Sequence, residues 1–168
     1  MIYLIGYMGV GKTTIAKKLG KILDYKVYDT DIEIEKQEKK SIEEIFNQKG
    51  EKYFREIESI FLRKFNIKSI ISCGGGTAIH NNNMSTINNK GITIYLKAST
   101  NYLYNNLKKN RHKRPLIANI SNKDLENYIN KDLKKREPFY NLAQHTIYVD
   151  DKDEKQILKE IHSLIISF

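Results

Sequence analysis

Apolar residues along this chain gather in short runs, separated by longer stretches in which they recur every three or four positions. That alternation predicts a parallel β-sheet covered by helices. Ile2-Tyr3-Leu4-Ile5 reads as the first buried strand. After a glycine-rich turn, Ile15, Ala16, Leu19, Ile22 and Leu23 follow at helical spacing, and Val27-Tyr28 opens a second strand ending at Asp29. Ile42, Ile45 and Phe46, then Phe54, Ile57, Phe61 and Phe65, predict two helices separated near Lys49-Gly50. Ile70-Ile71-Ser72-Cys73, Ile92-Thr93-Ile94-Tyr95-Leu96 and Thr146-Ile147-Tyr148-Val149 supply the remaining strands. A last helix carries Ile157, Leu158, Ile161, Leu164 and Ile165 on one stripe, which suits packing against a sheet. The segment from about Asn110 to Lys123 breaks the pattern: it is basic, offers few core anchors and reads as a mobile loop.

The turn after the first strand, Gly6-Tyr7-Met8-Gly9-Val10-Gly11-Lys12-Thr13, satisfies G-x-x-x-x-G-K-[ST] between a strand and a helix. In such a loop, backbone N–H groups wrap phosphate oxygens and the following helix presents its positive end. Lys12 would reach the terminal phosphates, and the Thr13 hydroxyl can bind Mg²⁺. The second strand delivers Asp29-Thr30-Asp31 to the carboxyl edge of the sheet, where open α/β sheets bind their ligands. One of these carboxylates can support Mg²⁺ while the other takes a proton from an attacking hydroxyl; alternatively, Asp31 caps a helix starting at Ile32. Gly74-Gly75-Gly76 follows the third strand at the same edge, either as a plain loop or as a place where backbone approaches a ligand closely. Arg55, between Glu51 and Glu58, suits a solvated ion-pair ladder as well as an anion site. Arg136 stands where a helix runs out at Pro138, able to complement the helix's negative end or to serve a ligand.

Composition narrows the partners. With 29 Lys and Arg against 20 Asp and Glu, the formal charge is +9, which predisposes the surface toward nucleic acid, acidic lipid or a phosphorylated small molecule. A length of 168 residues with 40% apolar content fits one domain and excludes disorder of the whole chain. No run approaches the ~18 consecutive apolar residues of a membrane span. The single cysteine, Cys73, cannot form an internal disulfide, and no basic-then-apolar leader precedes Ile2, so the expected compartment is a reducing cytoplasm. His80, His112, His145 and His162 lie too far apart to suggest a metal site built from histidine and cysteine.

Taken together, the GYMGVGKT loop, Asp29-Thr30-Asp31, Phe54-Arg55, the triple glycine, Arg114-Pro115-Leu116 and the R-x-P-x-Y of Arg136 to Tyr140 resemble the shikimate kinase family in order and spacing. The resemblance covers nearly the whole chain. It implies an α/β protein with the three-layer P-loop kinase fold, a five-stranded parallel sheet flanked by helices and a mobile lid at about 110–123, all within one domain spanning 1–168. It implies transfer of the ATP γ-phosphoryl group to the 3-hydroxyl of shikimate, on the route to chorismate and aromatic amino acids. By this resemblance Gly9, Val10, Gly11, Lys12, Thr13 and Thr14 bind the ATP phosphates, Thr13 and Asp29 hold Mg²⁺, and Asp31 contacts the substrate hydroxyl as base. Arg55 and Arg136 clamp the shikimate carboxylate, Gly74, Gly75 and Gly76 line the same pocket, and Arg114 reaches the transferring phosphate. Phe46 and Phe54 become apolar walls, and Glu58 orients the arginine pair. The expected partners are ATP and shikimate, with no nucleic acid or membrane, and the expected state is a monomer.

The chain departs from the family where many relatives carry an adenine-stacking arginine before the lid; here it reads Leu107-Lys108-Lys109-Asn110-Arg111. A kinase for another small acceptor would share the phosphate loop but lack the paired arginines. A GTP-dependent switch would need an Asn-Lys-x-Asp motif, which the chain does not contain. A nucleic-acid module would need more than a charge of +9, and the lysines are spread over many predicted helices without an aromatic-basic motif.

Overall fold

Strand β1 (Ile2–Ile5) is buried along its whole length and lies at the centre of the sheet. It is flanked by β3 (Ser69–Ser72) on one side and β4 (Ile92–Lys97) on the other, with β2 (Lys26–Asp29) and β5 (His145–Tyr148) at the edges. All four pairings are parallel. Burial on both faces explains why β1 and β3 read as unbroken runs, whereas the edge strands β2 and β5 are only partly buried. The computed structural model describes residues 1–109 and 115–166, so the predicted lid residues Arg111, Lys113 and Arg114 lie outside it.

The order β2-β3-β1-β4-β5 contains a reversal that positions the site. The chain leaves β1 toward β2 on one side and leaves β3 toward β4 on the other, opening a crevice beyond the carboxyl ends of β1 and β3, where ligands bind in open sheets. Cys73 N–H donates to the Leu4 carbonyl at 3.0 Å just beyond the two strands, so the phosphate-loop entrance and the triple glycine start side by side.

Helix α1 (Lys12–Leu23) buries Ile15, Ala16, Leu19 and Gly20 and packs on α8 (Glu154–Ile166) and β3. A side chain at Gly20 would collide with Val27 and the Tyr25 carbonyl, so glycine there permits the close approach of α1 to β2. α2 (Thr30–Glu38) follows β2 without a loop, and α3 (Ile42–Lys64) packs against it around a small separate core of Ile34, Ile45 and Phe54. The Ser41–Glu44 capping box starts α3, and Gly50 (φ 79°, ψ 168°) breaks it where two helices were predicted to part. A single 3₁₀ turn, Thr77–Ile79, leads to α4 (Asn83–Lys90), and α5 (Thr100–Lys109) packs on α7 (Asn122–Tyr140).

Three expectations change. The 110–123 segment is not loop throughout: α6 (Pro115–Ala118) forms, Ile117 is fully buried in the main core, and Ser121 caps α7. One buried anchor within a four-residue helix makes no periodic pattern, which is why the sequence concealed it. The helix carrying Arg136 does not stop at Pro138 but runs to Tyr140, its final carbonyls accepting from the Asn141 N–H. The capping residue of α2 is Asp29, whose side chain accepts from the Asp31 N–H at 3.2 Å; Asp31 sits inside the first turn and caps nothing.

Candidate active site

Two adjoining clefts open over the carboxyl edge of the sheet, and they share Met8, Asp31, Gly74 and Gly75. The first, about 540 Å³, is walled by the loop residues 8–15, Asp29 and Ser72, with Asn106, Lys109 and Glu154 around its mouth. The second, about 610 Å³, is walled by Phe46, Phe54, Arg55, Gly76 and Arg136. Asp31 therefore stands at their junction.

The loop between β1 and α1 takes its shape from glycines. Gly9 and Gly11 hold φ of 83° and 100°, in the left-handed region that other residues resist, and a side chain at Gly9 would also strike Leu107. Gly11 offers α1 no capping side chain, so the first-turn N–H groups keep their positive end available to an anion. Asn106 Nδ2 donates to the Gly9 carbonyl at 3.1 Å and fastens the loop to α5. Lys12, nearly buried, donates through Nζ to the carbonyls of Gly6 at 2.8 Å and Tyr7 at 3.0 Å, folded across the loop it belongs to. Of the remaining predicted phosphate binders, Val10 is buried and Thr14 is exposed, and both line the same cleft.

The Thr13 hydroxyl donates to Asp29 Oδ2 at 2.8 Å and lies 3.2 Å from the Ser72 hydroxyl. Three elements thus contribute oxygen donors to one spot: the start of α1, the end of β2 and the end of β3. Thr30, next in the chain, accepts from the Gly74 N–H at 2.8 Å and ties the triple glycine to the start of α2. Burial pushes the Asp31 carboxyl up to about 6, with the negative charges of Asp29 and Glu58 adding to the rise and Lys12 and Arg55 opposing it. A Cβ at Gly74 would lie 2.6 Å from Asp31 Oδ1 and 3.2 Å from Glu58 Oε1, so glycine there is what gives Asp31 its room.

In the second cleft, Glu58 is completely buried and accepts from Thr77 Oγ1 at 2.5 Å and from Arg55 Nη1 at 3.0 Å. Burial raises its carboxyl pKa against the pull of Arg55 and Thr77. Arg55 also donates through Nε and Nη2 to Glu51 at 3.2 and 3.1 Å, so the ladder expected from spacing exists, but on the Glu58 side it is dry rather than solvated. Gly76 packs directly on the Arg55 guanidinium, leaving no space for a side chain. Arg136 does not merely face the helix end. Its Nη1 donates to the Gly75 carbonyl at 3.0 Å, Nε lies 2.8 Å from Asp132 Oδ2, and the Tyr140 hydroxyl donates to the same Gly75 carbonyl at 2.5 Å. Phe46 and Phe54 meet at 5.1 Å between ring centroids and form an apolar side of this cleft.

The structure therefore gathers Lys12, Thr13, Asp29, Asp31, Arg55, Arg136 and the three glycines into one connected crevice, while Arg114 falls outside the described residues. Sequence reasoning missed Ser72, Thr77, Asn106 and Asp132. Only Asp132 left a signal, standing one helical turn before Arg136.

Comparison with known proteins agrees with this geometry. The family model described as shikimate kinase matches residues 8–166. The chain is 43% identical to the shikimate kinase of Flavobacterium johnsoniae over 168 residues, 98% of either chain. Among solved structures, it resembles the shikimate kinase of Bacteroides thetaiotaomicron with a TM-score of 0.90 and 32% identity, covering 98% of this chain and 97% of that one. The Acinetobacter baumannii shikimate kinase, solved in complex with shikimate, aligns with a TM-score of 0.88 and 30% identity, covering 99% and 92%.

Proposed function

The chain belongs to the shikimate kinase family, an ATP-dependent phosphotransferase family of aromatic amino acid biosynthesis, and from that premise we propose how its own residues carry the reaction. ATP occupies the first cleft and shikimate the second. The γ-phosphoryl group passes across the junction at Asp31 to the 3-hydroxyl, giving ADP and shikimate 3-phosphate. The observation that carries this reading is the position of Asp31, common to both clefts and bordered by the phosphate loop on one side and the two arginines on the other.

The loop N–H groups from Gly9 to Thr14 and the positive end of α1 receive the phosphates, and Lys12 exchanges its loop carbonyls for phosphate oxygens. Thr13 and Asp29, with their oxygens already together, suit Mg²⁺, a hard cation that takes a hydroxyl and a carboxylate alongside phosphate oxygens. When bound, it supplies neutralisation of phosphate charge. Arg55 and Arg136 hold the shikimate carboxylate, Gly74 to Gly76 bring backbone close to the ring, and Phe46 and Phe54 cover its apolar side. Asp31 orients the attacking hydroxyl and takes its proton; a carboxyl titrating at about 6 is mostly ionised at pH 7 yet more basic than an ordinary aspartate. Arg114, on a lid at about 110–123, contributes positive charge to the transferring group as the lid closes. The enzyme works as a cytoplasmic monomer on two small molecules, a setting compatible with its one buried, free thiol at Cys73; no helix among the described residues is long and apolar enough to cross a membrane.

A coupled ADP-release assay over a panel of small hydroxy acids tests the reading. Shikimate should be turned over far faster than gluconate or a nucleoside monophosphate. Equal turnover of an acceptor lacking a carboxylate would overturn the role of the arginine pair.

A further inference from the structure

A hydrogen bond from the phosphate loop and an ion pair at the second cleft meet on a residue to which the reaction assigns no role. Asp132 lies on α7, half-buried, one turn before Arg136. Its Oδ2 accepts from the Tyr7 hydroxyl at 2.8 Å and lies 2.8 Å from Arg136 Nε. Tyr7 is itself almost completely buried within the phosphate loop, its ring under the Arg136 guanidinium at 5.6 Å, and its backbone carbonyl accepts from Lys12 Nζ. Tyr7 thus touches the phosphate lysine through its backbone and the clamp's counter-ion through its side chain.

We propose that Asp132 is a positioning residue for shikimate binding, which, braced by Tyr7, sets the orientation of the Arg136 guanidinium. The proposal rests on the assignment of Arg136 to the substrate carboxylate. An arginine reaches its ligand through a long, freely rotating chain, and bidentate recognition needs its plane fixed. Here two contacts constrain that plane, Nη1 donating to the Gly75 carbonyl and Nε held by charge at 2.8 Å from Asp132 Oδ2, and the guanidinium lines the second cleft. Tyr128 on the same helix and Tyr140 one turn beyond Arg136, both within reach of the Asp132 charge, are neutral phenols. A pure charge view makes the opposite forecast: Asp132 offsets the positive charge of Arg136, so its removal would strengthen attraction for an acid. The two views differ in sign.

The test is a double-mutant cycle read by titration of shikimate and, separately, of ATP. Asp132→Asn keeps an acceptor for Tyr7 but gives up the charge that holds Nε, and shikimate Kd should rise about 5- to 20-fold, as expected for loss of a supporting partner behind a ligand-binding side chain. ATP affinity should stay within about 2-fold and kcat at saturating shikimate within about 3-fold, a split that general loss of structure would not produce. In an Arg136→Ala background, adding Asp132→Asn should change shikimate Kd by less than about 2-fold, because there is no guanidinium left to place. Tyr7→Phe leaves the charge of Asp132 intact but removes its brace, and should weaken shikimate in the same direction by about 2- to 5-fold. Unchanged or tighter shikimate binding by Asp132→Asn overturns the proposal, as does an equal loss in the Arg136→Ala background. If Arg136→Ala alone leaves shikimate affinity intact, the carboxylate assignment fails and the proposal with it, and that single variant tells the two failures apart.

Discussion

Replacing Asp31 by Asn separates the chemical role of this residue from its structural effect, because the two move in opposite directions. A rise of its pKa from 3.8 to about 6 corresponds to about 3 kcal/mol of unfavourable interaction for the ionised form in the folded protein. The sign follows from proton binding: the folded state holds the Asp31 proton more tightly than the unfolded chain, so stability falls as pH rises from about 4 to about 6 and the full penalty persists above that. Asn preserves the shape and removes the charge that Asp29 and Glu58 repel. Part of the penalty remains as the cost of burying an amide, so a gain of about 1–2 kcal/mol is expected, and Tm at pH 8 should rise by about 2–6 °C. At pH 4 the gain should largely vanish. Activity should behave otherwise, with kcat falling about 10²- to 10⁴-fold, the usual worth of a general base. Helix capping does not confound the measurement, since Asp29 holds that position. Thermal melts at both pH values, paired with the coupled assay, read both effects. A variant that keeps its turnover within a few fold would refute the proton-accepting role, and one that loses stability at pH 8 would refute the account of why the carboxyl titrates high.

The remaining expectations concern the groups around it. Wild-type kcat/KM should fall about tenfold per pH unit below pH 6 as the Asp31 carboxylate takes up its proton, and a profile flat to pH 5 would contradict the ionised-base assignment. Arg136→Ala should raise the shikimate KM by tens of fold, about 2–4 kcal/mol for a charge-assisted contact, with ATP KM little changed; the reverse pattern would move the clamp elsewhere. Gly74→Ala places a methyl 2.6 Å from Asp31 Oδ1 and should both lower Tm and cut kcat, by displacing Asp31 rather than by removing it; turnover equal to wild type would show that the crowding relaxes without cost. Hydrogen exchange across the proposed lid, about 110–123, should slow when ATP and shikimate are bound together, since lid closure would exclude water, and equal exchange in the free and ternary states would remove the lid from the mechanism.

Sheet strands and the phosphate loop were legible because they rest on local signals: unbroken apolar runs for doubly buried strands, and glycines where φ must be positive. The break in α3 was equally visible, since Gly50 is the residue that turns it. Features set by contacts distant in sequence were not. The Tyr7–Asp132 bond joins residues 125 positions apart, and neither residue type announces it. The role of Asp29 as cap was hidden because β2 passes into α2 with no intervening loop, so the helix begins two residues earlier than its apolar pattern suggests. Glu58 looked like a rung of a surface ladder by spacing, and only the packing of Gly74, Thr77 and Arg55 around it makes it dry.

The central claim is that this crevice transfers a phosphoryl group from ATP to one hydroxyl of shikimate. NMR analysis of the reaction of the purified enzyme with ATP, Mg²⁺ and shikimate tests it most directly, by identifying the phosphorylated carbon of the product. The account predicts one phosphate ester, at the 3-hydroxyl, formed in step with ADP. Release of ADP with free phosphate and unchanged shikimate, or an ester at another hydroxyl, would contradict it.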